Sequence, residues 1–306
     1  MSRVDGTSTW RDIAVLHRLE FPLPVSYLCL ASWGACFAAG GAKGLLHASV
    51  PAAITANLLL IVSGLALNNA VDIPTDEQNR DKNYLASTAT RFGRVRALRW
   101  AATEMAAGLA LAITISLSSG RWFVAGIATM SIVMQLLYNL EPVRLKRRGF
   151  AGAGVFGLSM ATLPCLLSYS AVRSGFEPAV WPIFASLGVM AIGRTAWWSV
   201  PDRIADVATG MATPTVRYGA ARALVLSCVV MGAGLGLLGW GLWCRYGPAW
   251  VPLGVVMHCV FLGGALALLR RTADHALPSP VRMLKRAMPL VTIGDALLVV
   301  IPLAAG

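Results

Sequence analysis

The sequence predicts an all-α polytopic membrane protein: nine transmembrane helices around a central cavity, with the N-terminus cytoplasmic. Three observations predict it. The chain of 306 residues is 57% hydrophobic and only 13% charged, with a mean hydropathy of +0.65, a composition suited to membrane spans. Its uncharged runs recur at span length. Its basic residues fall in alternate loops.

In order, the expected spans are roughly 22–41, 49–71, 98–118, 122–140, 150–170, 179–200, 221–243, 249–269 and 287–304. The first has Pro22 and Pro24 near its start, where proline is tolerated. The fifth is the weakest, because it holds Pro164 and several glycines. Residues 1–20 are polar and charged, without the apolar core of a cleavable signal peptide.

The net charge of +12 would point to nucleic acid in a soluble chain. Here the distribution assigns it to topology, so no nucleic-acid partner is expected. All but four of the 26 basic residues, from Arg3 in the N-terminal tail onward, lie on one side of the nine-span arrangement. Lys43, Arg121, Arg173 and Arg245 lie on the other. The positive-inside rule makes the basic side cytoplasmic. Six scattered cysteines show no metal spacing and read as small buried hydrophobes.

Two acidic motifs carry the chemistry. Asn68, Asp72 and Asp76 recur every four residues at the end of the second span. Asp202 and Asp206 repeat the spacing at the end of the sixth, following Trp198. Both offsets, Asp72 to Asp202 and Asp76 to Asp206, are 130 residues. The chain thus divides into a first four-helix half (1–140), a second (141–270), and a loop with a ninth helix (271–306). Pro74 and Pro201 should break the helices within the motifs, leaving Asp76 on a short new turn.

Acidic groups at the edge of hydrocarbon need a neutralising partner. Carboxylates, with Asn68 as a neutral oxygen ligand, suit Mg²⁺ completed by substrate phosphates. Asp72, Asp76, Asp202 and Asp206 are the expected metal ligands. Lys82, Arg91, Arg144, Lys146 and Arg217 are the expected donors to a diphosphate. An apolar cavity suits an isoprenoid tail, and loss of diphosphate from an allylic isoprenoid leaves a carbocation. Tyr138, Trp197 and Trp198 offer aromatic faces to it. The competing reading of the two tryptophans is an interfacial belt, and that of Arg144–Arg148 is a topology signal binding anionic lipid. Glu104 and Asp295, near or within spans, are expected to pack or hydrogen-bond between helices. His17, His47, His258 and His275 form no usable pattern.

Taken together, these residues resemble the UbiA superfamily of intramembrane prenyltransferases over nearly the whole chain. Asn68-x-x-x-Asp72-x-x-x-Asp76 matches its first signature. Asp202-x-x-x-Asp206, then Gly210, Thr213, Arg217 and Gly219, resembles the second. Tyr138 and the Pro142-Val143-Arg144-Leu145-Lys146 segment match a motif between them, and Arg18 before Pro22 resembles the start of the family's first helix. The chain departs from the pattern at Asn83-Tyr84, where many members carry Arg-Pro before a Leu-x-Ser segment.

The resemblance implies Mg²⁺-dependent prenyl transfer from a prenyl diphosphate to an acceptor, often aromatic. It places the metal and diphosphate on the four aspartates, with Asn68 lining the site and Arg144 and Lys146 contacting diphosphate. Outlying members resemble terpene cyclases, which ionise the same substrate without a second one. A cation-coupled transporter is a third reading, but its acids would be expected at the bilayer midplane rather than at the cytoplasmic edge. The expected setting is an integral membrane protein among lipid, its site opening toward the cytoplasm.

Overall fold

The computed structural model describes residues 10–272 and 279–305. Arg3 and His275 lie outside the described residues. Nine long helical bodies are present among the described residues: α1 (Leu23–Ala39), α2 (Ser49–Val71), α3 (Arg94–Ser119), α4 (Phe123–Asn139), α5 (Phe150–Ser170), α6 (Val180–Trp198), α7 (Ala220–Tyr246), α8 (Val251–Thr272) and α9 (Pro280–Ala305). Six of them, α2, α3, α5, α7, α8 and α9, are long and apolar enough to cross a membrane. α1 and α4 are apolar but only 17 residues long, and α6 carries Arg194 within its length.

Consecutive helices pack on one another, and α9 packs back on α1 to close the ring. α1 also packs against α5 across it. Small residues permit these approaches, as packing between helices in lipid requires. A Cβ on Gly34 of α1 would lie 1.8 Å from the Cys165 carbonyl oxygen of α5. Between α6 and α7 the fit is reciprocal: Gly193 receives Met231 and Gly234 receives Met190. Asn57 ties three helices, its side-chain amide donating to the carbonyls of Ala31 and Pro164 at 2.9 and 2.8 Å.

The weak fifth span is a single helical body with a π-turn at Leu158–Thr162, immediately before Pro164. A proline removes one backbone donor, and the wider turn accommodates the resulting gap in the ladder. Four of the six cysteines are buried as expected, whereas Cys244 and Cys259 are exposed on the outer faces of α7 and α8.

The prolines break both acidic motifs as anticipated. α2 stops at Val71, and the Asp72 amide makes its last turn with Asn68 O at 2.9 Å. A short helix, Ile73–Glu77, restarts with Pro74 in its first turn, where a missing N–H costs nothing. α6 likewise stops at Trp198, and Asp202 opens the Arg203–Ala208 helix. In each case another short helix follows, Asn83–Phe92 or Pro214–Tyr218. A glycine of positive φ, Gly93 or Gly219, then turns the chain into the next long helix. Three of the four isolated basic residues gather at the other end of the ring. Arg121 donates to Ala171 O and Arg173 to Ala38 O, while Arg173 and Arg245 share Glu177.

Gly34→Ala should therefore destabilise the protein by about 1–3 kcal/mol through overpacking at the α1–α5 contact. Gly126→Ala, on α4 with open space around its Cβ position, should be neutral or mildly stabilising. Thermal unfolding of the detergent-solubilised variants measures both; equal effects would remove the close-packing argument.

Candidate active site

The ring encloses a cavity of about 350 Å³, within the usual range for small-molecule sites. Helical spacing decides which side chains face it. α2 presents Leu65, Asn68 and Asp72; α5 presents Gly152, Phe156 and Met160; α6 presents Ala191, Arg194, Thr195 and Trp198. Both acidic motifs, Tyr138, Lys82 and Lys146 line the same space. The four-residue spacing seen in the sequence thus converts into one polar end, despite the proline breaks.

The two motifs are cross-linked by basic residues. Lys82, in the loop after the first motif, donates to Asp202 Oδ2 at 2.5 Å, and Asn79 donates to Asp202 Oδ1 at 2.9 Å. Lys146 and Arg144, between α4 and α5, both reach Asp72 Oδ1, the latter at 3.3 Å. Arg144 adopts φ +34°, an uncommon left-handed conformation for a residue with a side chain. That bend lets the short Leu145–Arg147 turn present both Arg144 and Lys146 to Asp72. Only part of the basic run faces inward, however: Arg147 pairs with the exposed Glu141 at 2.8 Å.

Asp76 and Asp206 form no ion pair among the described residues. Asp206 accepts a hydrogen bond from Thr213 Oγ1 at 2.8 Å. Burial, with like charge from the other aspartates, raises Asp76 to about 6 and Asp206 to about 7. Burial also lowers Lys146, against the pull of Asp72. Asn68 Nδ2 donates to Asn139 Oδ1 at 2.9 Å, leaving its own carbonyl oxygen as the group for a ligand.

This donor set suits a hard divalent cation, being oxygen-only and carrying two carboxylates without a basic partner. Among the described residues no three Asp, Glu, His or Cys side chains converge into a closed metal cage. Sites completed by phosphate oxygens need no such cage, because magnesium is commonly held by one or two carboxylates plus substrate.

Two expected diphosphate donors lie elsewhere. Arg91 pairs with Asp12 of the Trp10–Leu16 helix, outside the cavity. Arg217 is exposed, its guanidinium 5.7 Å from the Tyr218 ring. Arg91 sits on a short helix that contributes no side chain to the cavity, and Arg217 on one that presents Pro214 to it, an outcome that sequence proximity to a motif does not reveal. Conversely, Trp197 and Trp198 point inward rather than forming an outer belt. Trp197 packs on Trp198 and on Phe261 of α8, at ring-centroid distances of 5.6 and 5.0 Å. Tyr138 meets Phe156 at 5.5 Å.

Sequence reasoning missed several lining residues. Asn79 flanks the first motif and could have been found as a polar neighbour of its aspartates, whereas Thr213 reads as part of the second signature without a role of its own. Arg194 and Asp295 also line the cavity, facing one another at 3.7 Å from helices distant in sequence. Glu104 pairs with His17 at 2.9 Å, tying α3 to the N-terminal segment as an interhelical role requires.

The comparisons with known proteins agree with this architecture. A solved UbiA homolog from Archaeoglobus fulgidus, bound to DMAPP and Mg²⁺, superposes with a TM-score of 0.69 at 16% identity, covering 96% of this chain and 98% of that one. The same homolog bound to GPP and Mg²⁺ gives 0.69 at 15% identity, covering 96% and 99%. At such identities the likeness speaks to the fold. The bacteriochlorophyll synthase 33 kDa chain of Rhodobacter capsulatus is 30% identical over 137 residues, 41% of this chain and 44% of the relative. That match takes in less than half of the relative's length. The UbiA prenyltransferase family profile matches residues 27–284. With most of its length inside that match, and with six membrane-length apolar helices, this chain is an integral membrane protein belonging to the UbiA prenyltransferase family.

Proposed function

We propose that this protein is a Mg²⁺-dependent intramembrane prenyltransferase, which ionises an isoprenoid diphosphate and passes the prenyl group to a hydrophobic, aromatic acceptor. One observation carries the reading. The cavity joins a polar end, built from two lysine-bridged aspartate motifs, to a remainder that is apolar and aromatic over most of its lining, with Arg194 and Asp295 at its far end. That is the shape and polarity of a diphosphate with a hydrocarbon tail. The prenyl diphosphates named for the Archaeoglobus fulgidus homolog support it. We further propose that all nine long helices span the bilayer, with the N-terminus and the mouth of the cavity cytoplasmic.

Asp72, Asp76, Asp202 and Asp206 are the residues that would hold the metal, with Asn68 beside them. When bound, Mg²⁺ supplies Lewis-acid neutralisation of the departing diphosphate. Lys82, Lys146 and Arg144 turn from their aspartate partners to the phosphate oxygens, as charge-assisted donors aimed at the leaving group. Tyr138, Trp197 and Trp198 line the path of the allylic cation and steady it through their ring faces. The helices around them exclude the bulk water that would quench it.

Purified protein in detergent, given Mg²⁺ and prenyl diphosphates of several lengths, should release diphosphate and prenylate a quinonoid or aromatic acceptor. Cyclic hydrocarbon or alcohol formed without any acceptor would establish the cyclase reading instead. No diphosphate release under any condition would sink the enzymatic assignment. Asp72→Ala and Asp202→Ala should each slow diphosphate release by at least ~100-fold while the protein remains folded. Arg217→Ala, outside the cavity, should turn over close to the wild-type rate. Trp198→Ala should slow turnover or alter the product spectrum; a variant indistinguishable from wild type would remove Trp198 from the cation path.

A further inference from the structure

The cavity has a second polar end, which the diphosphate site does not use. Following α6 away from Asp202 leads past Trp198 to Arg194, one turn or about 6 Å deeper. On α9 the lining residues Met288, Val291 and Asp295 recur at helical spacing, with Asp295 the last of them. Asp295 is 2% exposed, and its Oδ1 makes no hydrogen bond. It faces Arg194 Nη1 at 3.7 Å, beyond hydrogen-bonding reach.

Ser26 and Thr292 share a hydrogen bond of 2.7 Å. The Trp33 indole donates to the Asp295 backbone carbonyl at 2.9 Å, not to its carboxylate. A pair serving only to tie α6 to α9 would close to contact, because buried charge in hydrocarbon is costly unless paired. Here the gap opens on the cavity, and an acceptor atom is left without a donor.

We infer that Arg194 and Asp295 form the acceptor subsite, and that it takes a neutral hydroxylated aromatic molecule, a phenol or hydroquinone. The inference rests on the transferase reading above. A hydroxyl supplies what the gap lacks, donating to Asp295 Oδ1 while accepting from the Arg194 guanidinium. The pair sums to zero charge, so a carboxylate acceptor would set its own charge against Asp295 without a spare cation. The helical turn between Trp198 and Arg194 matches the length of a substituted ring. The acceptor would thus reach from the hydroxyl at Asp295 toward the diphosphate end.

In the transfer itself the C1–O bond of the prenyl diphosphate breaks, and its electron pair leaves on diphosphate. A ring carbon activated by the hydroxyl bonds to C1. The hydrogen on that carbon departs as a proton to the released diphosphate. Asp295 holds the hydroxyl hydrogen throughout, which fixes the ring and raises its electron density.

Calorimetric titration of the detergent-solubilised protein with hydroquinone and with 4-hydroxybenzoate, without prenyl diphosphate, tests this directly. Wild type should bind hydroquinone at least ~10-fold more tightly than the acid. Asp295→Asn leaves Arg194 uncompensated and should shrink that ratio at least ~10-fold, toward the acid. A wild-type preference for the acid, or an unchanged ratio in folded Asp295→Asn, overturns the subsite. Should that variant fail to fold, Arg194→Gln must shift the ratio the opposite way, and no shift overturns the inference equally. Diphosphate release measured alongside separates the two readings. Normal release with indifferent acceptor binding removes the subsite alone, whereas absent release removes the transferase reading and leaves the binding ratio to judge the subsite.

Discussion

Four carboxylates placed where the long helices give way to loops must be neutralised, and the rest of the site follows from how this is done. Asp72 and Asp202 each receive a lysine from a different part of the chain. Lys82 reaches from the first motif to the second, and Lys146 returns from the α4–α5 turn to the first. Breaking either pair would strand a buried charge, which is far more costly than a surface ion pair. The two pairs therefore hold both motifs and the intervening turn in one arrangement. Asp76 and Asp206, left without such partners, are the carboxylates with capacity to spare.

The apolar half of the molecule obeys a different constraint. Helices in lipid gain no hydrophobic driving force from burying apolar faces against one another. Association rests on close fit, visible in the reciprocal seating of Met231 at Gly193 and Met190 at Gly234. Polar ties such as Asn57 across α1, α2 and α5 fix register where fit alone would leave it loose. Among the described residues the long helices form a closed ring as the outcome, with α9 completing it against α1.

Much of this was legible in the sequence because its signals are local. Span lengths, the proline breaks at Pro74 and Pro201, and the four-residue spacing of the aspartates each depend on neighbours within a few residues. They placed Asn68, Asp72, Asp76, Tyr138, Lys146, Trp198, Asp202 and Asp206 at one cavity. Arg91 and Arg217 went astray because their side-chain direction is set by short helices whose orientation no local pattern encodes. The pairing of Arg194 with Asp295 was invisible for a related reason. It joins residues from α6 and α9 that meet only when the ring closes, and neither belongs to a repeating motif.

The lysine–aspartate pairs also bear on turnover. In the proposed reaction the same ammonium groups serve two anions in alternation, the resident carboxylates and the departing diphosphate. A site lined with bare cations would cling to its own product. In that reaction Asp72 and Asp202 would compete for Lys146 and Lys82 as soon as chemistry is over, limiting how tightly diphosphate is retained. The two carboxylates would thus serve as internal counter-anions that help to clear the site for the next substrate.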